Sequence, residues 1–266
     1  GPLTVGHGRG AVLGDVLAKL LTNAGYNVQR EYYVNDSGNQ VKLLGASIRS
    51  HYAAAFDQDI PFPSGGYLGD YVVDWAREIA SKDGRRYLNL GNDEGITTFT
   101  KLGIERALDT IRQHLNTINI EFDNWFYESE LHAANAIEKA IDKLRDDGFV
   151  SEREGAVWFT HGDSSEDQEN VLVKRTGEPT YLTADIAYHR DKFGTRKFDR
   201  VIDILGADHH GHAPRMLSAM SALGISRERL TYVICQMVHV VVDGKPIKQS
   251  KRAGDFELLD QLVSDV

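Results

Sequence analysis

Two short segments near opposite ends of the chain carry residue types suited to holding phosphate. Gly6-His7-Gly8-Arg9-Gly10 leads into an apolar-periodic run, Val12, Leu13, Val16, Leu17, Leu20 and Leu21, which stops at Gly25. The pattern reads as an amphipathic helix with a glycine-rich start. Unpaired backbone N–H groups and the helix dipole at such a start attract a phosphate, and glycines let it come close. His7 adds an imidazole N–H that can meet a developing phosphoryl charge. The alternative is a loop with one surface histidine, because short glycine patterns recur by chance. Late in the chain, Lys248-Gln249-Ser250-Lys251-Arg252 sets three cations around a small hydroxyl, ahead of Gly254. Such a loop can clamp a polyphosphate. A solvated basic loop would look the same.

A third cluster is Asp208-His209-His210-Gly211-His212. Carboxylate and imidazole at this spacing suit zinc or manganese. No second Asp/Glu/His cluster stands out as the partner such a metal site needs.

The segments between these clusters alternate in type. Val28 to Val34 reads as a strand. Asp36-Ser37-Gly38 is turn chemistry, with a cap for a helix through about Ala55. The stretch from Asp57 to Gly69 holds Pro61, Pro63, Gly65 and Gly66 and reads as a linker or insertion boundary. Helices are expected over Tyr71 to Lys82, Gly95 to Asn116 and Leu131 to Asp147. Short strands are expected at Ile118 to Phe122, Phe149-Val150, Ala156 to Phe159 and Val171 to Lys174. A helix follows over Thr183 to Lys192. Arg200 to Leu205 is an apolar run ending at Gly206, the signature of a buried parallel strand. Pro214 to Leu223 reads as a helix and Leu230 to Val242 as a strand. Alternation of this kind implies an α/β fold with a parallel sheet, whose ligands sit where strand ends meet helix starts.

Bulk properties narrow the class. In 266 residues, 30 Lys and Arg against 39 Asp and Glu give a net charge of −9. That argues against a uniformly basic nucleic-acid-coating protein, but leaves room for a local basic groove. No apolar run reaches the length of a membrane span. Cys235 is the single cysteine, so no internal disulfide framework exists and a reducing cytoplasm fits.

Taken together, the glycine-histidine segment and the late lysine segment resemble the paired signatures of class I aminoacyl-tRNA synthetases. They stand here as Thr4-Val5-Gly6-His7 and Lys248 to Arg252. Glu31 to Gln40, Tyr181 to His189, Leu205 to His212 and Lys248 to Gly254 are similar to four blocks of bacterial arginyl-tRNA synthetases, in the same order. The resemblance spans essentially the whole chain.

It implies a Rossmann-like nucleotide-binding parallel sheet with a mainly helical insertion. Residues 1–56 and 118–242 would form the two parts of the catalytic domain. Residues 57–117 would be the insertion, and 243–266 the lysine-rich loop and the start of a following helical region. The implied substrates are ATP with Mg2+, arginine and tRNA(Arg), in a cytoplasmic protein without a resident metal. Thr4, Gly6, His7, Gly8, Gly206, Asp208, His212, Lys248 and Lys251 would bind ATP, and His7, Lys248, Ser250 and Lys251 would serve catalysis. Asn35, Gln40, Tyr181, Asp185 and His209 would bind arginine. Physics agrees at Tyr181 and Asp185: four residues apart, they share a helix face, and a carboxylate beside a ring suits a guanidinium. Asp185 on a solvated helix face is the plain alternative.

The chain departs from the family pattern at Thr4, where a histidine is usual. A threonine donates a hydrogen bond but carries no charge. Both chain ends read as cut. The family's strand with an Asn-Pro-Thr block would precede Gly1, as would a tRNA-contacting domain, and an anticodon-binding domain would follow Val266. Two rivals stay open: a noncatalytic tRNA- or nucleotide-binding remnant, and a metal-dependent hydrolase built on Asp208 to His212.

Overall fold

The computed structural model describes residues 1–160, 170–238, 241–242, 245–246 and 258–265. The chain divides into two compact units, residues 1–125 with 238–266, and residues 126–237.

The first unit is built on close helix packing. Helix α1 spans Val5–Asn23, strand β1 Glu31–Val34, α2 Gly38–Ala54, α3 Asp70–Asp83 and α4 Asn92–Thr117. On α2, Leu44, Gly45, Ile48, Tyr52 and Ala53 fall on one face at the spacing of a core-facing stripe. That face packs against α3 and α4 around Val72, Trp75, Ile79 and Phe99. Glycine sets how near the helices come. A Cβ at Gly45 would lie 2.5 Å from the backbone nitrogen of Thr100, and one at Gly103 would lie 2.7 Å from Ile48 Cδ1. Buried Arg49 clamps the start of α4, donating to the carbonyls of Leu90 (3.1 Å) and Asn92 (3.0 Å).

Helix α1 inverts the expected burial. Its larger apolar residues Val12, Leu13, Val16 and Leu20 are exposed, and Gly8, Asp15 and Ala18 are buried instead. Small residues on the inner face let other groups fill the space. Leu259, on α9 (Leu259–Asp265), occupies the place a Cβ at Gly8 would take, 2.4 Å from its Cδ1. Leu259 joins Leu3, Ile111, Leu115 and Ile120 in a second core cluster. Asp15 is held by Lys19 (2.6 Å) and Arg30 (3.4 Å). Arg30 also meets Asp123 at 3.0 Å, so one guanidinium ties α1 to the segment before β2 (Asn124–Tyr127).

The chain passes into the second unit within β2. There α5 (Glu128–Ala133) and α6 (Ala136–Asp146) replace the single helix expected over Leu131 to Asp147. Asn135 breaks it with a left-handed φ of 50°, a conformation asparagine tolerates. β3 (Val150–Arg153), β4 (Ala156–Phe159) and β5 (Val171–Val173) form an antiparallel sheet. Helix α7 (Tyr181–Arg190) follows, then β6 (Val201–Gly206), α8 (His212–Ala222) and β7 (Leu230–Cys235). β6 and β7 run parallel in register from Val201↔Leu230 to Gly206↔Cys235, so β6-α8-β7 is a β-α-β unit. Back in the first unit, β8 (Val241–Val242) pairs antiparallel with β9 (Lys245–Pro246).

Two sequence expectations shift. Ile118 to Phe122 is not a strand; Ile118, Ile120 and Phe122 pack into the second core cluster, and the strand falls at β2. The long run from Leu230 ends as a strand at Cys235.

The Gly45 contact yields a direct test. Gly45→Ala pushes a methyl into the Thr100 backbone and should lower stability by about 1–3 kcal/mol, the usual cost of overpacking. Urea denaturation followed by far-UV circular dichroism reads it; an unchanged midpoint would mean α2 and α4 are not this close.

Candidate functional site

In the first unit, α1 begins at Val5, so Gly6, His7 and Gly8 form its first turn rather than a loop before it. Thr4 is the extended N-cap, with φ −95° and ψ 168°. Its backbone N–H donates to His7 Nδ1 at 3.2 Å, and its hydroxyl lies 2.6 Å from the same atom. A backbone N–H can only donate, so Nδ1 accepts and the neutral ring carries its proton on Nε2. Gly8 is buried beneath Leu259, which gives that glycine a packing reason independent of any ligand. Asn35 follows β1 and Gln40 sits in the first turn of α2, both exposed. Lys248, Ser250 and Lys251 lie outside the described residues. A cleft of about 300 Å3 lined by Glu78, Arg106, Asp109 and Arg112 contains none of the candidate residues.

The second unit gathers the others around α7. Two threonines fix where this helix starts: Thr180 Oγ1 donates to the Val171 carbonyl (2.7 Å) and Thr183 Oγ1 to that of Leu172 (2.6 Å), both on β5. Tyr181 and Asp185, one turn apart, both meet α8. Asp185 Oδ2 lies 2.5 Å from His212 Nε2. Tyr181 accepts a hydrogen bond from Arg215 Nη2 at 3.0 Å, and its ring centroid is 5.1 Å from that of His212. Tyr181 is 63% exposed and His212 only 3%.

Behind Asp185, the next turn of α7 is anchored to β6. His189, 2% exposed, meets the Asp185 carbonyl through Nδ1 at 2.9 Å and Asp203 Oδ2 through Nε2 at 2.7 Å. Both ring nitrogens therefore face acceptors. Lys192 reaches the other oxygen of Asp203 at 3.2 Å, and its ammonium sits 3.9 Å from the Tyr188 ring centroid. Burial pushes the Asp203 carboxyl up, but the charges of His189 and Lys192 outweigh it and hold the group below the ordinary carboxylate range. On β7, burial pushes the Tyr232 hydroxyl up, and Asp203 and Asp185 add to the effect, so it stays neutral. Tyr232 Oη and His212 Nδ1 are buried with no hydrogen-bond partner among the described residues.

Past the end of β6, Asp208 and His209 turn outward, 78% and 45% exposed. The ring of His209 is 6.1 Å from that of His212. His212 turns inward to Asp185 while its neighbours turn out, so the cluster does not converge. Among the described residues, no three His, Cys, Asp or Glu side chains are grouped to hold a metal ion. No helix among them is long and apolar enough to cross a membrane.

Sequence reasoning passed over Asp203, His189, Lys192, Arg215 and Tyr232. The clue for the first three was present. A carboxylate inside the apolar run Val201-Ile202-Asp203-Ile204-Leu205 has to find a buried cation. His189, in the last turn of α7, and Lys192, three residues on in the π-helical turn Asp191–Thr195, supply it.

A family model described as tRNA synthetases class I (R), catalytic domain, matches residues 1–266, and the chain belongs to this class of synthetase catalytic domain. Its relatives place it in the arginyl-tRNA synthetase branch. It is 42% identical over 266 residues to an arginine–tRNA ligase of Carboxydothermus hydrogenoformans, covering 100% of this chain and 48% of that protein. A crystal structure of a Campylobacter jejuni protein, provisionally assigned as an arginyl-tRNA synthetase, superposes with a TM-score of 0.86. It is 36% identical, with 100% of this chain and 57% of that one covered. The arginyl-tRNA synthetase of Thermus thermophilus shares the fold, with a TM-score of 0.70 at 18% identity, over 99% of this chain and 50% of that one. The chain thus has the α/β fold of these enzymes, and spans about half the length of the curated relatives it matches.

Asp203→Asn removes the one anion shared by His189 and Lys192. It should cost about 3–5 kcal/mol, as breaking a buried charge pair does. Because the folded carboxyl is held below its ordinary value, its contribution is complete above a pH of about 4 and is lost as pH falls further. Chemical denaturation across that range should show wild-type stability falling and the variant changing less. Parallel curves would remove Asp203 from this role.

Proposed function

We propose that the chain performs ATP-dependent ligation of arginine to tRNA(Arg) through an arginyl-adenylate. The observation that carries the reading is Asp185 beside Tyr181 on a helix of a chain matched over its whole length by a class I (R) synthetase model. A fixed carboxylate next to an exposed aromatic ring fits the planar, cationic end of arginine.

In the first step the arginine carboxylate oxygen attacks the α-phosphorus of ATP. The bond to the β-phosphate bridging oxygen breaks, and pyrophosphate leaves. Arginine and phosphate alike need holding and neutralising, without a covalent enzyme intermediate. Thr4, Gly6, His7 and Gly8 hold the triphosphate. The Thr4 N–H on Nδ1 keeps a proton on His7 Nε2 for phosphate oxygens. Gly206 and Asp208 address the nucleotide. Lys248 and Lys251, with the Ser250 hydroxyl, balance charge as pyrophosphate departs, and Mg2+ enters as part of the ATP substrate. Asn35 and Gln40 of the first unit, and His209 of the second, are further residues assigned to arginine. In the second step a ribose hydroxyl of the tRNA terminal adenosine attacks the adenylate carbonyl carbon, releasing AMP.

On this reading residues 1–56 and 118–242 are the two parts of a Rossmann-like nucleotide-binding domain. Residues 57–117 are the helical insertion, and 243–266 carry the lysine-rich loop into a helical region. The substrates place the protein in the cytoplasm.

ATP–pyrophosphate exchange tests the reading. It should require arginine, and tRNA(Arg) should promote it. Asp185→Asn should raise the KM for arginine at least about tenfold, the scale of a lost charged hydrogen bond, and leave the KM for ATP unchanged. Exchange supported by a different amino acid, or an Asp185→Asn variant with wild-type arginine KM, would overturn the assignment.

A further inference from the structure

We infer that His212 serves the amino-acid pocket as the positioning residue for Asp185, rather than the nucleotide to which its motif would assign it. The inference rests on the guanidinium role proposed for Asp185.

His212 has one ring nitrogen engaged, and it is engaged on Asp185: Nε2 to Oδ2 at 2.5 Å. An ionised carboxylate only accepts, so Nε2 carries the proton and donates. The other nitrogen, Nδ1, is buried, and the residue as a whole is 3% exposed. The imidazole cannot present an N–H to a phosphate or ribose without abandoning Asp185. Its neighbours in the motif behave differently, since Asp208 and His209 are turned out and exposed.

The effect on Asp185 is specific. The backbone at Asp185 is set by two contacts of its own helix, and its carboxylate by one contact across to α8. The His189 ring holds the residue's backbone carbonyl, and the Thr183 hydroxyl ties the helix start to β5. His212 then fixes the side-chain rotation by taking Oδ2. That leaves Oδ1 and the remaining lone pair of Oδ2 to accept a flat donor pair, which is what a guanidinium offers. The His212 ring also lies beside Tyr181, at 5.1 Å between centroids and 43° between planes. One side chain therefore sets the relation between the carboxylate and the aromatic surface. It never needs to touch the ligand.

Titration calorimetry of arginine, and separately of ATP, into the full chain distinguishes the two assignments. His212→Leu keeps bulk and removes the donor; arginine binding should weaken about tenfold to a hundredfold, with ATP affinity unchanged. His212→Gln places an amide N–H near the Nε2 position and should recover most of the loss. His212→Asn, one methylene shorter, should not; this pair serves where the leucine variant fails to fold, as judged by circular dichroism. A loss in ATP affinity with arginine affinity intact overturns the proposal, and so does an equal loss in both or an absence of rescue by Gln. Asp185→Asn is the control on the underlying reading. If it leaves arginine affinity intact, the guanidinium role itself fails. If it weakens arginine binding and His212→Leu does not, only the role of His212 fails.

Discussion

One carboxylate, Asp203, holds the second unit's site together. It lies on a parallel strand, in an apolar run, and carries two cations on its two oxygens, His189 from α7 and Lys192 from the turn that follows it. Neither His189 nor Lys192 could be buried there without it, and without them the carboxylate could not be. The result pins the C-terminal half of α7 to β6. The N-terminal half is pinned by two threonine hydroxyls to β5. A helix fixed at both ends can offer Tyr181 and Asp185 in a set geometry, and ligand recognition needs that geometry before the ligand arrives.

Much of this fold is legible in the sequence because hydrophobic periodicity and punctuation report local structure directly. The helices α3, α4, α7 and α8 and the strand β6 fall close to where alternation, glycine and proline put them. What failed has a common cause. At α1 the apolar residues mark the outer face and the small residues the inner one, because the inner face meets Leu259 and the Asp15 ion cluster at short range. A rule that reads large apolar residues as core cannot see that a glycine has been chosen to admit a leucine from far along the chain. Asn135 failed similarly, since a break in the middle of an apolar-periodic stretch depends on one residue's tolerance of a positive φ.

The site was legible in its residue types and less so in their partners. His7, Tyr181, Asp185 and His212 were all marked by motif, but a motif says nothing of which atoms meet. That Thr4 addresses Nδ1 of His7, and that His212 spends its donor on Asp185, are pairings across 3 and 27 positions that only coordinates reveal. Asp203 is the instructive omission. It stands inside an apolar strand pattern, and an acid in such a run carries an obligation that sequence alone can state: a buried cation must be found for it. His189 and Lys192 lie 14 and 11 residues earlier, near enough to have been named.

The substitution at Thr4 shows how the same logic extends to the first unit. A histidine at the N-cap of α1 would bring a second imidazole to the helix start. Threonine brings instead a hydroxyl and an extended backbone whose N–H meets the ring of His7. The N-cap position is where threonine is favoured, since its side chain can meet donors and acceptors of the first turn. Loss of a possible charge is thus offset by control of a tautomer: with Nδ1 accepting, the hydrogen on His7 is committed to Nε2. Both halves of the candidate machinery then use one device. A neighbouring polar group occupies one side of an imidazole or carboxylate, and that occupation decides what the other side can offer.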